Sequence, residues 1–167
     1  MNMEDSRLKE IFRAYDVRGE YPDVLNPEVM RKIGKAYATH LIRDKDLDDE
    51  EAVVMGRDAR NSSPELSEAF SGGLNELGIH VEDQGTVPFG LVLYKSLVEG
   101  KEAAYITASH LPKGWNGIKF YHSNGIGWTE EENYHVRDLF MEEDFESRVA
   151  RGTRSEEHTS ELQSPSA

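Results

Sequence analysis

The chain contains no cysteine among its 167 residues. A disulfide framework, a thiolate nucleophile and a cysteine-based zinc site are therefore excluded. Basic residues are also scarce, because 19 lysines and arginines face 32 aspartates and glutamates, and the formal net charge is −13. Such a charge disfavours nucleic acid and anionic membrane surfaces as primary partners.

Long apolar runs are missing as well. No stretch approaches the length of about 18 residues that a membrane span requires, and the N-terminal "MNMEDSRLKE" is too charged for a signal peptide. We therefore expect a soluble, cytoplasmic protein with no membrane partner. The length fits one globular domain, which can bury roughly 68–70% of the surface of its unfolded chain.

Segments typical of helices and of strands alternate along the chain. "NPEVMRKIGKAYATHLIRD" begins with Asn26 as N-cap and Pro27 at the first helical position, and "SSPELSEAFSGGLNELG" repeats this pattern. "PFGLVLYKSLVEG" also has helical spacing, whereas "EAVVMGRD", "IHVEDQG" and "AAYITA" are short apolar runs typical of strands.

The last third of the chain predicts a turn and a further helix. "GIKFYHSNGIGW" predicts a hairpin that turns at Asn124 and Gly125, and Thr129 with Glu132 forms a capping box at the start of a helix. Strands that alternate with helices over short connections predict an α/β fold. We expect a three-layer α/β/α sandwich with a mostly parallel, mixed sheet over residues 1–150.

The final segment does not continue this pattern. "RSEEHTSELQSPSA", from residue 154, has no periodic apolar face and resembles the translation of a short-read sequencing adapter. We therefore expect residues 151–167 to be a non-native or disordered tail, and the parent gene to continue past about Thr153. A natural disordered tail is the alternative that the composition allows.

Two polar segments follow strands of the predicted sheet. "GRDARNSS" and "SHLPKGWNG" lie where ligands collect in parallel α/β sheets, at the carboxyl ends of strands. Ser109 in the second segment could be an ordinary turn serine. His110 is poorly placed to act as its base, because adjacent side chains on an extended backbone point in opposite directions.

Two other kinds of catalytic site find little support in the sequence. No G-x-S-x-G motif supports a hydrolase triad. The six histidines are scattered, and no pair has metal-ligand spacing on a helix, so we expect no metal site made by this chain alone.

A third polar cluster lies near the N-terminus, in "IFRAYDVRGEYP". An ion-paired turn is its ordinary interpretation. If Ser109 handles a phosphate, however, Arg18 and Lys119 are cations that could meet it, one as a planar fork and the other as a point charge. Gly114 and Gly117 would let the backbone approach a bulky anion.

These segments carry a resemblance to a family. "FRAYDVRG", "GRDAR-SS" and "TASHLPKGWNGIKF" occur in the order of the three first-domain motifs of the α-D-phosphohexomutases, and the resemblance covers residues 11–145. It implies the first domain of a phosphomannomutase or phosphoglucomutase, an isomerase that interconverts hexose 6-phosphates and hexose 1-phosphates through a bisphosphate. Phosphoglucosamine and phosphopentose mutases, or a free-standing binding or regulatory domain, are the alternatives.

The resemblance also implies roles for residues. Ser109 would be a phosphoserine whose phosphate also binds Mg²⁺. Arg18 and Lys119 would neutralise the phosphate in transit, and His110 would orient the loop or touch the sugar. Tyr15 would lie at the rim of the site.

Two further positions bear on the sugar. Asn116, in the family's N-G-x-K motif, is a further substrate-binding candidate. Leu111 stands where the family usually has asparagine, in a variant that resembles archaeal-type members, and this departure bears on substrate preference.

The implied site extends beyond this chain. The family's metal loop, D-G-D-x-D-R, and its sugar-binding and phosphate-binding loops belong to three later domains, and none of these motifs occurs here. We therefore expect the remaining Mg²⁺ ligands and the rest of the phosphosugar site in those three domains, and no activity from this chain alone.

Overall fold

The computed structural model describes residues 1–48 and 50–156. Within them the strands are β1 (Val17–Glu20), β2 (Ala52–Arg57), β3 (His80–Thr86), β4 (Ala103–Ile106), β5 (Trp115–Tyr121) and β6 (Arg154–Glu156). The helices are α1 (Met3–Glu10), α2 (Pro27–Asp44), α3 (Ser63–Glu76), α4 (Phe89–Glu99) and α5 (Glu130–Glu142).

The strands form one sheet in the order β1-β5-β4-β2-β3-β6. β5 is antiparallel to both of its neighbours, whereas β2 pairs in parallel with β3 and β4, and β3 pairs in parallel with β6. The mostly parallel, mixed sheet expected from the sequence is confirmed.

Helices cover both faces of the sheet. The larger core lies between the sheet and the helices α2, α3 and α5, where Tyr37 of α2 stacks on Phe120 of β5 with ring centroids 4.6 Å apart. A smaller core lies on the other face, where Val92 of α4 packs against Val54 and Tyr105. The expected three layers are therefore present.

The start of α2 and its packing follow from the sequence. The Asn26 side chain accepts a hydrogen bond from the Val29 N–H at 3.0 Å, which satisfies a backbone donor in the first helical turn. Farther along, Gly34 allows α2 to approach α3 closely, because a Cβ atom there would lie 2.5 Å from the Phe70 carbonyl oxygen.

Three local features differ from the simplest expectation. The structure adds α1, a helix whose N-cap is Asn2. The predicted turn at Asn124 and Gly125 is present, with Gly125 at φ +81°, but the returning segment pairs only through a bridge between Tyr121 and Gly127. Ser62 precedes α3 without a side-chain cap, because its backbone is already helical (φ −81°, ψ −14°), and its hydroxyl accepts from the Asn116 amide.

Part of the segment that we expect to be a non-native or disordered tail forms the strand β6. Arg154–Glu156 pairs with β3, and the Val81 N–H donates to the Thr153 carbonyl at 2.8 Å. The Arg154 guanidinium also contacts the fully buried carboxylate of Asp83. Residues 154–156 pair in this way because β3 offers unpaired ladder groups and a buried acidic side chain, and the non-native or disordered nature of residues 151–167 stays a prediction. Residues 157–167 lie outside the described residues.

Within the described ranges, no helix is long and apolar enough to cross a bilayer.

Candidate functional site

Ser109 lies in the loop that joins β4 to β5, residues 107–114, which we call the serine loop. Its φ of +55° is in the left-handed region, which residues other than glycine rarely adopt. The Ser109 N–H donates to the Thr107 hydroxyl at 2.9 Å, and this bond holds the bend locally. Strain of this kind occurs most often at functional sites, where surrounding contacts maintain it.

Arg60 supplies those surrounding contacts. Its guanidinium donates to the carbonyl oxygens of Leu111 (2.6 Å), Pro112 (2.7 Å), Trp115 (3.0 Å) and Ser109 (3.1 Å). One side chain from the loop after β2 therefore fixes the backbone of the serine loop and the first residue of β5.

Asp58 holds Arg60 in place. The Asp58 N–H donates to the Ile106 carbonyl at 3.0 Å, so the carboxyl ends of β2 and β4 lie side by side. One carboxylate oxygen accepts from the Arg60 backbone N–H (3.1 Å) and from the Ser63 hydroxyl (2.6 Å), and the other lies 3.3 Å from Arg60 Nε. The predicted meeting of the two polar segments at one sheet edge is present.

Arg18 approaches Ser109 from β1. Its Nη2 lies 3.5 Å from the Ser109 hydroxyl, and its Nε forms a short ion pair with buried Asp16. Gly117 of β5 is paired with Arg18 of β1, and a Cβ atom at Gly117 would lie 2.0 Å from the Val17 carbonyl oxygen. The glycine at this position therefore permits the close approach that brings Arg18 to the serine.

Lys119 lies farther along β5 and makes no hydrogen bond to Ser109. It lines an open pocket of about 400 Å³ with Tyr15 and Tyr121, and its ammonium has no hydrogen bond or ion pair within the described ranges. Burial, together with the negative charge of Asp16, raises the pKa of Tyr121, whose hydroxyl therefore stays protonated at neutral pH. The Glu130 carboxylate also lines this pocket but forms no ion pair with Lys119 in the described residues.

His110 and Tyr15 are the exposed members of the predicted set. His110 has no hydrogen bond or ion pair in the part of the chain that the structure describes, so it does not contact the Ser109 hydroxyl as a base would. Tyr15 is 71% exposed, at the mouth of the pocket that Lys119 lines.

Asn116 has a different environment from the one a substrate contact requires. It is fully buried, and its amide nitrogen donates to the hydroxyls of Ser62 (2.7 Å) and Ser63 (3.0 Å). Its side-chain oxygen accepts from the Gly117 N–H at 2.8 Å. This geometry gives the side chain no open path to a sugar and places it as a link between β5 and the start of α3.

Leu111 contributes its backbone to one contact and its side chain to another. Its carbonyl accepts the shortest of the Arg60 bonds, whereas the partly buried residue lines a second open pocket of about 550 Å³ with Tyr21 and Lys113. The departure from asparagine at this position therefore alters the wall of a pocket.

The sheet edge provides few ligands for a metal ion. Asp16 and Asp58 each pair with an arginine. In the described residues, the one grouping of histidines and carboxylates that could hold a metal lies elsewhere, at His40, Asp44 and His135. Asp16, Asp58 and Ser109 therefore do not form a Mg²⁺ site by themselves.

The sequence did not predict that Arg60 would bind the serine loop or that Asp58 would hold Arg60. Both lie in the motif "GRDAR-SS", which the resemblance includes without a role for either residue. A signal was available, because charged residues directly after a buried strand lie at the edge where ligands collect in this fold.

The arrangement defines an α/β domain suited to an anionic group, with a strained serine and cations at the carboxyl edge of its sheet. The chain belongs to the family described as phosphoglucomutase/phosphomannomutase, alpha/beta/alpha domain I, which matches residues 9–147. The resemblance and the fold class inferred from the sequence are confirmed.

Relatives in this family are longer proteins. A phosphoglucomutase/phosphomannomutase from Thermococcus kodakarensis is 36% identical over 139 residues, which are 83% of this chain and 30% of that protein. A phosphomannomutase/phosphoglucomutase from Pseudomonas syringae is 41% identical over 110 residues, 65% of this chain and 23% of the relative. A probable phosphoglucosamine mutase from Methanobrevibacter smithii is 31% identical over 141 residues, 84% of this chain and 30% of the relative. The chain thus spans about a quarter to a third of these relatives.

Solved structures share the fold. A phosphoglucomutase/phosphomannomutase family protein from Burkholderia thailandensis superposes with a TM-score of 0.79 at 28% identity, over 93% of this chain and 34% of that one. A putative phosphomannomutase from Thermus thermophilus gives a TM-score of 0.73 at 26% identity, over 90% of this chain and 33% of that one.

Proposed function

We propose that this chain is the phosphoserine-bearing first domain of a phosphosugar mutase that interconverts hexose 1-phosphates and hexose 6-phosphates of the mannose and glucose class. The observation that carries the proposal is the serine loop. Ser109 has a left-handed backbone, its hydroxyl lies 3.5 Å from Arg18, and Arg60 binds four carbonyls around it.

The chemistry is transfer of a phosphoryl group between oxygens. The P–O bond to Ser109 breaks, a P–O bond to a sugar hydroxyl forms, and the proton of that hydroxyl ends on the serine oxygen. The intermediate is a sugar bisphosphate. It reorients in the site, and its other phosphoryl group is then transferred to the serine. Such transfers require positioning and neutralisation of charge more than covalent work by the protein.

The residues of this chain would supply both requirements. Arg60 and Asp58 fix the backbone that carries the serine, and Arg18 neutralises negative charge on its phosphate. Lys119 has no described counter-ion and would attract the phosphate of the arriving sugar, while Tyr15 and His110 would contact the sugar from the rim. Asn116 would act by positioning, because it is buried.

In this proposal Mg²⁺ binds this domain only through the phosphate on Ser109. A hard cation that prefers oxygen ligands would relieve charge on the phosphoserine when bound. The described residues offer it only that phosphate, so its other ligands would come from further domains of a longer parent protein.

The proposal is tested first on the gene. Sequencing the locus beyond codon 153 should reveal an open reading frame that encodes D-G-D-x-D-R. A stop codon after Ala167 in independent clones would contradict it and favour a free-standing binding domain.

Enzyme assays test the role of the serine. In the completed protein, Ser109→Ala should abolish turnover of mannose 1-phosphate and glucose 1-phosphate, whereas replacement of the exposed Ser147 by alanine should leave it unchanged. Normal turnover by Ser109→Ala would refute the phosphoserine. Turnover by the isolated chain would refute the need for further domains.

A further inference from the structure

Three metal-ligating atoms lie together on the helices α2 and α5, away from Ser109. His40 Nδ1 is 2.9 Å from Asp44 Oδ2, and His135 Nε2 is 3.0 Å from the same oxygen. All three atoms lie within 4.8 Å of one another. Since α2 ends at Asp44 and β2 then begins, the cluster lies near the amino end of β2, whereas Ser109 follows the carboxyl end of β4.

Helix geometry produces the cluster. His40 and Asp44 are four residues apart in α2, so their side chains share one face of the helix. His135 comes from α5, and the two imidazole rings have centroids 5.3 Å apart. The sequence did not predict this pair of histidines, because they lie on different helices and are brought together only by the packing of α2 and α5.

We propose that His40, Asp44 and His135 bind one divalent transition-metal ion, with Zn²⁺ as the best-suited occupant. Imidazole nitrogen and carboxylate oxygen are ligands that zinc takes at about 2.0–2.2 Å, which in a tetrahedron sets the ligand atoms about 3.3 Å apart. Mg²⁺ suits the site poorly, because it prefers oxygen ligands alone.

The adjustment that a tetrahedral site requires falls on two exposed side chains. The His40 side chain is only 6% exposed and is fixed by its T-shaped contact with Trp128, whose ring centroid is 4.9 Å away. The side chains of Asp44 and His135 are 48% and 47% exposed, so both can rotate toward a bound ion. Solvent reaches the cluster from their side and would fill the fourth position.

The consequence would be structural. A metal held by two residues of α2 and one of α5 links the end of one helix to its neighbour, independently of any phosphosugar chemistry. Binding to the folded state alone raises the melting temperature, and a zinc concentration about a hundredfold above the dissociation constant should raise it by about 5–10 °C.

The test is a zinc titration of the full chain after removal of metals with a chelator. Isothermal titration calorimetry should show one zinc ion bound per chain, and MgCl₂ at the same concentration should not replace it. His135→Ala and Asp44→Asn should each weaken binding at least about tenfold and remove the rise in melting temperature. Both altered side chains are half exposed, so the variants should fold.

A matched histidine provides the control. His80→Gln removes an imidazole from β3, where its Nδ1 is hydrogen bonded to Thr153, and it should leave zinc affinity and stoichiometry unchanged. Zinc binding that His135→Ala and Asp44→Asn do not weaken, or binding that shows no saturation at one equivalent, would overturn the proposal.

Discussion

Replacing Arg60 by alanine removes the group that donates to four carbonyls in and beside the serine loop. Four hydrogen bonds of about 0.5–1.5 kcal/mol each would sum to about 2–6 kcal/mol. The Arg60 side chain is 17% exposed, and the carbonyls that it leaves can regain water. We therefore expect a loss near the lower end, about 2–3 kcal/mol, or a fall in melting temperature of about 4–12 °C.

Two measurements on the full chain test this expectation. Urea-induced unfolding should give the loss of free energy, and amide hydrogen exchange should become faster at residues 107–114 than in the strands. Arg60→Lys should recover less than half of the loss, because an ammonium presents its donors from one point and lacks the planar fork.

An arginine of similar exposure, Arg137, serves as the control for Arg60→Ala, because its side chain is 21% exposed against 17% for Arg60. Arg137 pairs with the adjacent Asp138 at 3.0 Å, and Arg137→Ala should change stability by less than about 1 kcal/mol. If Arg60→Ala matches this control in both unfolding and amide exchange, Arg60 does not hold the serine loop, and the reasoning from its four bonds is refuted.

Three further substitutions test other contacts. A methyl group at Gly117 would lie 2.0 Å from the Val17 carbonyl oxygen, so Gly117→Ala should lower stability by about 1–3 kcal/mol, whereas Gly114→Ala, with open space around it, should leave the urea midpoint nearly unchanged. Equal midpoints would contradict the close approach. Burial raises the pKa of the Glu102 carboxyl above its unfolded value, so its charged form destabilises the fold at neutral pH. The Glu102→Gln variant should therefore be more stable than the unaltered chain at neutral pH, and this difference should vanish as the pH falls below the unfolded pKa of about 4.3. A difference that persists in acid would refute burial of the charged carboxylate as its cause. Because Ser109 has φ +55°, Ser109→Gly should be more stable than Ser109→Ala by about 1–2 kcal/mol in thermal unfolding, and equal melting temperatures would exclude the left-handed backbone.

The fold was predictable because it depends on local and periodic signals. Asn26 and Pro27 set the start of α2, and the alternation of strands and helices specified the layers and the edge where polar loops meet. The strand β6 was not predictable, because its three residues carry no apolar pattern and pair only where β3 offers a free edge.

The site was predictable in its residues more than in their contacts. The sequence identified Ser109 and Arg18, and the structure brings their side chains to 3.5 Å. It did not reveal that Asn116 is buried, because a residue in a glycine-rich segment carries no signal of its burial. It also did not reveal the four bonds of Arg60, since their partners are backbone carbonyls, which no residue type identifies.

The use of backbone carbonyls also explains how Leu111 is accommodated beside Ser109. Position 111 contributes its carbonyl to Arg60, and any residue provides that group. The side chain instead faces the open pocket of about 550 Å³ that Tyr21 and Lys113 also line. Leucine, at a position where the resemblance implies asparagine, can therefore change the polarity of that pocket while the bonds from Arg60 to the serine loop stay the same.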